Sequence, residues 1–118
     1  MLPTVNQQSI SFDSHGIQLS GTLTIPEGAS ERPAILLLPG SGKIDRDDNA
    51  KTLKINLFTE LVSTLNELGF ITLRYDKRGV GKSQGDYWSC GFEDLLVDAE
   101  QAISFLSKQP GVDSNKVF

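Results

Sequence analysis

The sequence has little of several features that would otherwise classify it. One cysteine, Cys90, and one histidine, His15, stand among 118 residues. A single cysteine excludes an internal disulfide and is typical of a reducing compartment, so we expect a cytoplasmic protein. No apolar run approaches the roughly 20 residues that cross a bilayer. Residues 1–8 also lack the basic and apolar regions of a signal peptide.

The charge balance excludes further classes of partner. Fifteen acidic residues stand against 11 lysines and arginines, which gives a formal net charge of −4. Because a negative surface repels phosphate groups, we expect neither a nucleic-acid nor a membrane partner. The carboxylates Asp45, Asp47 and Asp48 lack the spacing and the glutamate of an EF-hand, so a solvated loop is the interpretation here. We therefore predict no metal and no cofactor.

Alternating and unbroken apolar segments predict strands. A β-hairpin is expected over about 9–25, because apolar residues alternate with polar ones on both sides of a turn at 13–16. The segment 34–38 is apolar without alternation, and 70–75 is predicted to be a second strand of the same central type. Such segments are typical of parallel strands that lie inside a sheet.

Leucines at helical spacing predict two helices, over about 53–68 and 92–108. Gly69 ends the first helix, and residues 113–115 are expected to turn the chain into a last strand at 116–118. The order is therefore a hairpin followed by β-α-β-α-β, which predicts the α/β class with a parallel sheet and right-handed crossovers. Since a sheet cut there would leave an open edge, we expect the chain to be part of a larger fold.

Two glycine-bearing loops follow the two predicted interior strands. The first, Gly40-Ser41-Gly42, exposes backbone N–H groups that suit an anion or a developing oxyanion. A plain tight turn is the alternative. The second loop begins at Asp76, at the edge of the sheet where open α/β folds bind ligands. Within it we expect a structural ion pair between Asp76 and Arg78, with substrate contact by Arg78 as the alternative.

The second loop also contains two catalytic patterns without their proper context. Residues 81–85 spell Gly-x-Ser-x-Gly, but a nucleophile elbow needs a strand that runs into it and a helix directly after Ser83. The same loop nearly matches a P-loop, although Asp76 replaces the first glycine and would repel phosphate. Ser83 is therefore not the predicted nucleophile, and nucleotide binding through Gly79–Ser83 remains the second hypothesis.

Several motifs occur together in a fixed order along the chain. They are Gly-Thr-Leu-Thr-Ile-Pro at 21–26, Leu-Leu-Pro-Gly-Ser-Gly at 37–42, Asp-Arg-Asp at 45–47, Arg-Tyr-Asp-Lys-Arg-Gly-Val-Gly-Lys-Ser at 74–83, and the helix at 92–108. This order resembles the α/β-hydrolase family, in particular its branch of serine esterases and serine-aminopeptidase-like enzymes. The resemblance implies the N-terminal half of that fold, cut at the start of the strand that bears the nucleophile.

The same resemblance implies a function and places residues in it. It implies a serine hydrolase that acts on small-molecule carboxylic esters, with amides or peptides as the second substrate class. The backbone N–H of Ser41, or of Gly42 as second choice, would line the oxyanion hole, with Gly40 and Arg78 near the substrate. The nucleophile, acid and histidine are expected beyond Phe118, so the 118 residues alone are expected to be inactive. A non-catalytic half-domain that self-associates through its open sheet edge is the third hypothesis.

Overall fold

The computed structural model describes residues 5–27, 31–38, 57–89 and 91–118. In chain order its elements are β1 (Val5–Ser14), β2 (Ile17–Pro26), β3 (Arg32–Leu37), α1 (Leu57–Glu67), β4 (Ile71–Tyr75), a 3-10 turn (Tyr87–Ser89), α2 (Phe92–Ser107) and β5 (Val112–Val117). The expected start of the first helix, at 53–56, lies outside the described residues. Within the described ranges, no helix has the length and apolar character that a bilayer span requires.

The strands form one mixed sheet in the order β1-β2-β4-β3-β5. The hairpin β1–β2 and the pair β2–β4 are antiparallel, whereas β3 runs parallel to both β4 and β5. The unbroken apolar strand β3 therefore lies inside the sheet, as its composition predicts. The outer strand next to it is β5.

The hairpin is longer than its alternation predicts. It begins at Val5, because residues 5–8 pair through their backbones with residues 23–26 although their side chains are mostly polar. At the turn, His15 has φ 49° and Gly16 has φ 92°. A two-residue turn with both residues in the left-handed region follows the natural twist of the strands, which explains the glycine.

The last strand begins at Val112, four residues before the predicted start at 116. Arg32 pairs with Val112 and Ala34 with Val117, so residues 113–116 bulge out opposite the single residue between those two partners. Inside the bulge the Asn115 N–H donates to Asp113 Oδ1 at 3.0 Å. The predicted turn at 113–115 is thus a side-chain-stabilised bulge within β5, and it does not precede the strand.

The two helices cover opposite faces of the sheet. Helix α2 packs against β1, β3 and β5, and α1 packs against β2 and β4. The α2 face holds the apolar core, whose buried members are Phe12, Leu19, Leu23, Ala34, Ile71, Leu73, Tyr75, Ala102, Leu106 and Val112. Because side chains alternate along a strand, the residues between these face α1, and the buried ones on β2 and β4 are polar: Thr22, Thr24, Thr72 and Arg74.

Candidate active-site edge of the sheet

The loops after β3 and β4 leave the sheet at the same edge. Leu37, the last residue of β3, pairs in parallel register with Arg74 of β4. The carboxyl ends of neighbouring parallel strands form the usual ligand-binding edge of an α/β sheet. The predicted oxyanion loop with Gly40, Ser41 and Gly42 lies outside the described residues, so their roles stay predictions. The loop after β4, in contrast, is described from Asp76 to Ser89.

The hydroxyl of Ser83 is fixed between two backbone groups. Ser83 Oγ donates to the carbonyl oxygen of Asp76 at 2.6 Å and accepts the N–H of Ser20 in β2 at 2.9 Å. No α-helix opens behind it, because the next one begins at Phe92. The serine therefore fastens the loop to the hairpin, and its geometry is unlike that of a nucleophile elbow.

The carboxylate of Asp76 occupies the concave side of this loop. It is buried, and its Oδ2 accepts the backbone N–H of Lys82 at 3.0 Å. A Cβ on Gly81, whose φ is 55°, would lie 2.4 Å from that same oxygen. In a P-loop, such N–H groups point at a bound phosphate. Here the protein's own carboxylate takes that position, which argues against nucleotide binding through Gly79–Ser83.

The loop also closes on its own second half. A Cβ on Gly79 (φ 75°) would lie 2.2 Å from the backbone nitrogen of Tyr87, so only glycine permits this approach. The Gly79 N–H donates to the carbonyl of Gln84, and the Gln84 N–H donates to Gln18 of β2, both at 2.9 Å. Backbone contacts within the loop and to β2 therefore hold its second half in place.

Arg78 makes a bidentate ion pair with Asp98 of α2. Its Nε donates to Asp98 Oδ2 at 3.0 Å and its Nη2 to Asp98 Oδ1 at 2.7 Å. Asp98 also accepts the hydroxyl of Ser14 at the end of β1, and Asp94 lies 3.9 Å from Nη1. The hairpin turn, the loop and α2 are thus joined at one carboxylate. The structural partner expected for Arg78 was Asp76, whereas the bidentate partner is Asp98.

Sequence reasoning missed Asp98, although a signal for it exists. Asp98, Ala102 and Leu106 recur at four-residue intervals, and all three are buried. A carboxylate inside the apolar stripe of an amphipathic helix needs a buried partner. Of the basic residues in the nearby loop, Arg78 is the one whose fork fits a carboxylate at two points.

Tyr75 lies beside this charge cluster at the end of β4. Its side chain is buried, and its ring packs edge-on against Phe12 with ring centroids 5.5 Å apart. Burial, followed by the nearby Asp98 carboxylate, raises the pKa of Tyr75 well above its ordinary value. The phenol therefore stays neutral at any physiological pH. Among the described residues, no group of three His, Cys, Asp or Glu side chains is placed to hold a metal ion.

Comparisons with known proteins bear on both the fold and the family. No protein-family model matches the chain. It is 32% identical over 94 residues to Esterase EstD of Thermotoga maritima, which corresponds to 80% of this chain and 22% of that protein. The chain thus spans about a fifth of the length of this curated relative.

Solved structures resemble the whole described fold. The α/β hydrolase GrgF from Penicillium sp. sh18 superposes with a TM-score of 0.74 at 22% identity, over 95% of this chain and 36% of GrgF. Est1E from Butyrivibrio proteoclasticus, solved with ferulic acid, gives a TM-score of 0.67 at 24% identity, over 88% of this chain and 39% of Est1E. The predicted fold class and the predicted resemblance are both confirmed.

Proposed function

We propose that this chain, which has the fold of α/β hydrolases and an esterase relative, supplies an N-terminal part of a serine hydrolase that cleaves carboxylic esters. The observation that carries the proposal is the parallel pairing of β3 with β4, because it sends both glycine-bearing loops to one edge of the sheet. Esters are the favoured substrates since EstD is an esterase. Amides are the second choice.

In the proposed reaction, a serine carried after Phe118 attacks the ester carbonyl while a histidine accepts its proton. The Ser41 N–H, together with the N–H that follows the nucleophile, stabilises the oxyanion, and Gly40 leaves room for the acyl group. Arg78 contributes chiefly by holding the neighbouring loop, because Asp98 engages two of its nitrogens. Substrate contact by Arg78 stays the alternative.

The oxyanion role is tested by a matched pair of variants in a longer protein that contains this chain. Proline at position 41 removes the N–H, and alanine keeps it. We expect Ser41→Pro to lower kcat on the order of 10²–10³-fold, as loss of one oxyanion donor does in other hydrolases, and Ser41→Ala to change it little. Equal losses in the two variants, with folding intact by circular dichroism, would refute the backbone role.

The half-domain part of the proposal is supported by an apolar flank on α2. Phe92, Leu96 and Ile103 are 79%, 49% and 44% exposed, and helical spacing places them on one side of the helix. On the other side, Phe105 stacks on Phe12 of β1 with ring centroids 5.5 Å apart. The exposed flank therefore points away from β1 and toward the β5 edge.

The handedness of β-α-β connections explains what would cover this flank. The connection from β4 to β5 passes β3 and carries α2. A further strand beyond β5 continues in the same direction, so a right-handed crossover puts its helix on the same face, beside α2. We expect Leu96→Asp to destabilise a longer protein that contains this chain. Leu68→Asp, at an exposed leucine beyond α1, is the control and should be neutral; equal effects would contradict the flank assignment.

The chain by itself should show no esterase turnover, because no described residue is arranged as a nucleophile with its base. The measurement is hydrolysis of a p-nitrophenyl ester by the 118 residues, with a Ser83→Ala control. Turnover that is lost in Ser83→Ala would show that Ser83 is a nucleophile. Turnover that survives the control would place a nucleophile elsewhere in the chain.

Self-association through β5 remains the third hypothesis, and one feature favours it. Among the described residues, β5 pairs only with β3. Asp113 and Lys116 place opposite charges along this edge, so reversing the charge at Lys116 would oppose pairing of two copies. Light scattering of the isolated chain tests this: a dimer that Lys116→Glu disrupts would support it, and a monomer would exclude it.

A further inference from the structure

Among the described residues, three uncharged polar atoms are buried between α1 and the sheet without a hydrogen bond. They are Thr24 Oγ1 of β2, Thr72 Oγ1 of β4 and Asn66 Oδ1 of α1. Their residues are 3%, 1% and 4% exposed. Buried polar atoms are almost always paired, because losing hydration without a new partner costs free energy. Three unpaired atoms in one layer therefore require an explanation.

The three atoms share one location. Thr24 and Thr72 are directly opposite each other in the antiparallel β2–β4 pair, so their side chains lie on the same face. The Phe70 N–H donates to the carbonyl of Leu65 at 3.0 Å, which folds the start of β4 directly back under the last turn of α1. Asn66 belongs to that last turn, and α1 packs against both of these strands. The amide therefore belongs to the same layer as the two hydroxyls, near the start of β4.

We infer that these three residues form a binding site for one buried water molecule. The two threonine oxygens do not bond to each other, yet directly opposite Cβ atoms are only about 4.5–5.5 Å apart. Two hydrogen bonds of about 2.8 Å span such a gap. The water donates to Asn66 Oδ1 and to one threonine oxygen, and it accepts the hydroxyl of the other. Three polar partners is the usual number for a buried water.

The experiment replaces each threonine by valine, which has nearly the same shape, and measures whether the folded-to-unfolded ratio falls or rises. If a water bridges the hydroxyls, each of Thr72→Val and Thr24→Val leaves the other hydroxyl and Asn66 Oδ1 without a partner. Each variant then lowers the folded-to-unfolded ratio several-fold in urea titrations. In the double variant, the fold-decrease of this ratio is then smaller than the product of the two single fold-decreases, because the first substitution has already displaced the water. If the hydroxyls are merely unpaired, each substitution raises the ratio instead and the effects multiply.

Thr64→Val supplies the control, because Thr64 is exposed on α1 and its replacement should change the ratio little. A high-resolution crystal structure of the wild-type chain provides a readout that does not depend on variants folding. A water within hydrogen-bonding distance of all three atoms would establish the site. A direct bond between the two threonines, or rising stability in both single variants, would overturn it. This inference does not depend on the proposed hydrolase activity.

Discussion

The two faces of the sheet are made from the same strands but are held together differently. On the α2 side, Leu19, Leu23 and Leu73 are almost fully buried in one continuous apolar cluster. On the α1 side, the residues between them are threonines and an arginine. Burial of apolar area stabilises in proportion to the area removed from water, whereas buried hydroxyls stabilise only when they find partners. The α2 side therefore anchors the fold, and the α1 side buries less apolar area on β2 and β4.

The largest loss of stability should come from substituting Asp98, whose carboxylate is buried on the α2 side in a bidentate ion pair. Asp98→Ala leaves the Arg78 guanidinium without that partner in a site of low polarity, and we expect a loss of about 3–5 kcal/mol in the free energy of unfolding. Asp94→Ala is the matched change on the same helix. Because Asp94 is half-exposed and 3.9 Å from Arg78, it should cost about 1 kcal/mol or less. Urea denaturation measures both free energies of unfolding. Similar losses in the two variants would show that the buried pair of Asp98 is no more stabilising than the exposed pair of Asp94.

A matched pair of leucines compares the two faces directly. Leu73 faces α2 with no exposed surface, and Leu37 faces α1 at 8% exposure. We expect Leu73→Ala to cost about 4 kcal/mol and Leu37→Ala about 2–3 kcal/mol, because the polar side collapses more easily around a shortened side chain. Thermal or urea unfolding reads this difference. A larger loss at Leu37 would show that the α1 side carries its own apolar core.

A smaller loss of stability is expected in the loop after β4, at the carboxyl edge of the sheet. Gly81→Ala introduces a Cβ next to the Asp76 carboxylate in a left-handed backbone conformation, so we expect a loss of about 1–3 kcal/mol. Gly91→Ala is the control, because a Cβ there meets nothing within 4 Å. Because Gly91 is the N-cap of α2, where alanine is less favourable than glycine, this substitution should cost about 0.5–1 kcal/mol. If both glycines tolerate alanine, the Asp76-filled loop is looser than its hydrogen bonds indicate.

The smallest effect is a pH dependence that belongs to the α2 side. Tyr75 has a raised pKa in the folded state, so the unfolded chain loses this proton first, near pH 10. Stability is complete below that pH and falls as the pH rises from there toward the folded pKa. At pH 11 the loss from this group is about 1.4 kcal/mol. Tyr75→Phe should flatten the difference between pH 9 and pH 11, and an unchanged slope would contradict it.

Local pattern was enough to predict the α2 side of the molecule. The leucine spacing from 95 to 106 reflects one helix face packed on the core, and the segments at 34–38 and 70–75 have the character of interior strands. The parallel sheet followed from their order. The extension of β1 to Val5 was not predictable in the same way. Its pairing depends on backbone hydrogen bonds, which polar side chains neither favour nor reveal.

The candidate site was predicted in outline and missed in its long-range contacts. The strand pattern predicts that the loop after β4 leaves the sheet at its carboxyl edge, and the lack of a helix after Ser83 predicts that Ser83 is not an elbow nucleophile. The pairing of Arg78 with Asp98 joins positions 20 residues apart across a loop and a helix, and no local pattern encodes it. The bulge at 113–115 was not predicted either, because a turn inside a strand has the same composition as a turn that precedes a strand.

The tie between Ser14 and Asp98 has a consequence for the order in which the chain can fold. The two residues are separated by 84 positions, and β2 must wait for β4 before its second edge is paired. On a ribosome that adds about 5–20 residues per second, the N-terminal hairpin therefore emerges on the order of ten seconds before its partners. During that interval its leucines lie open to water and to chaperones, because the strands and the helix that bury them have not yet been made.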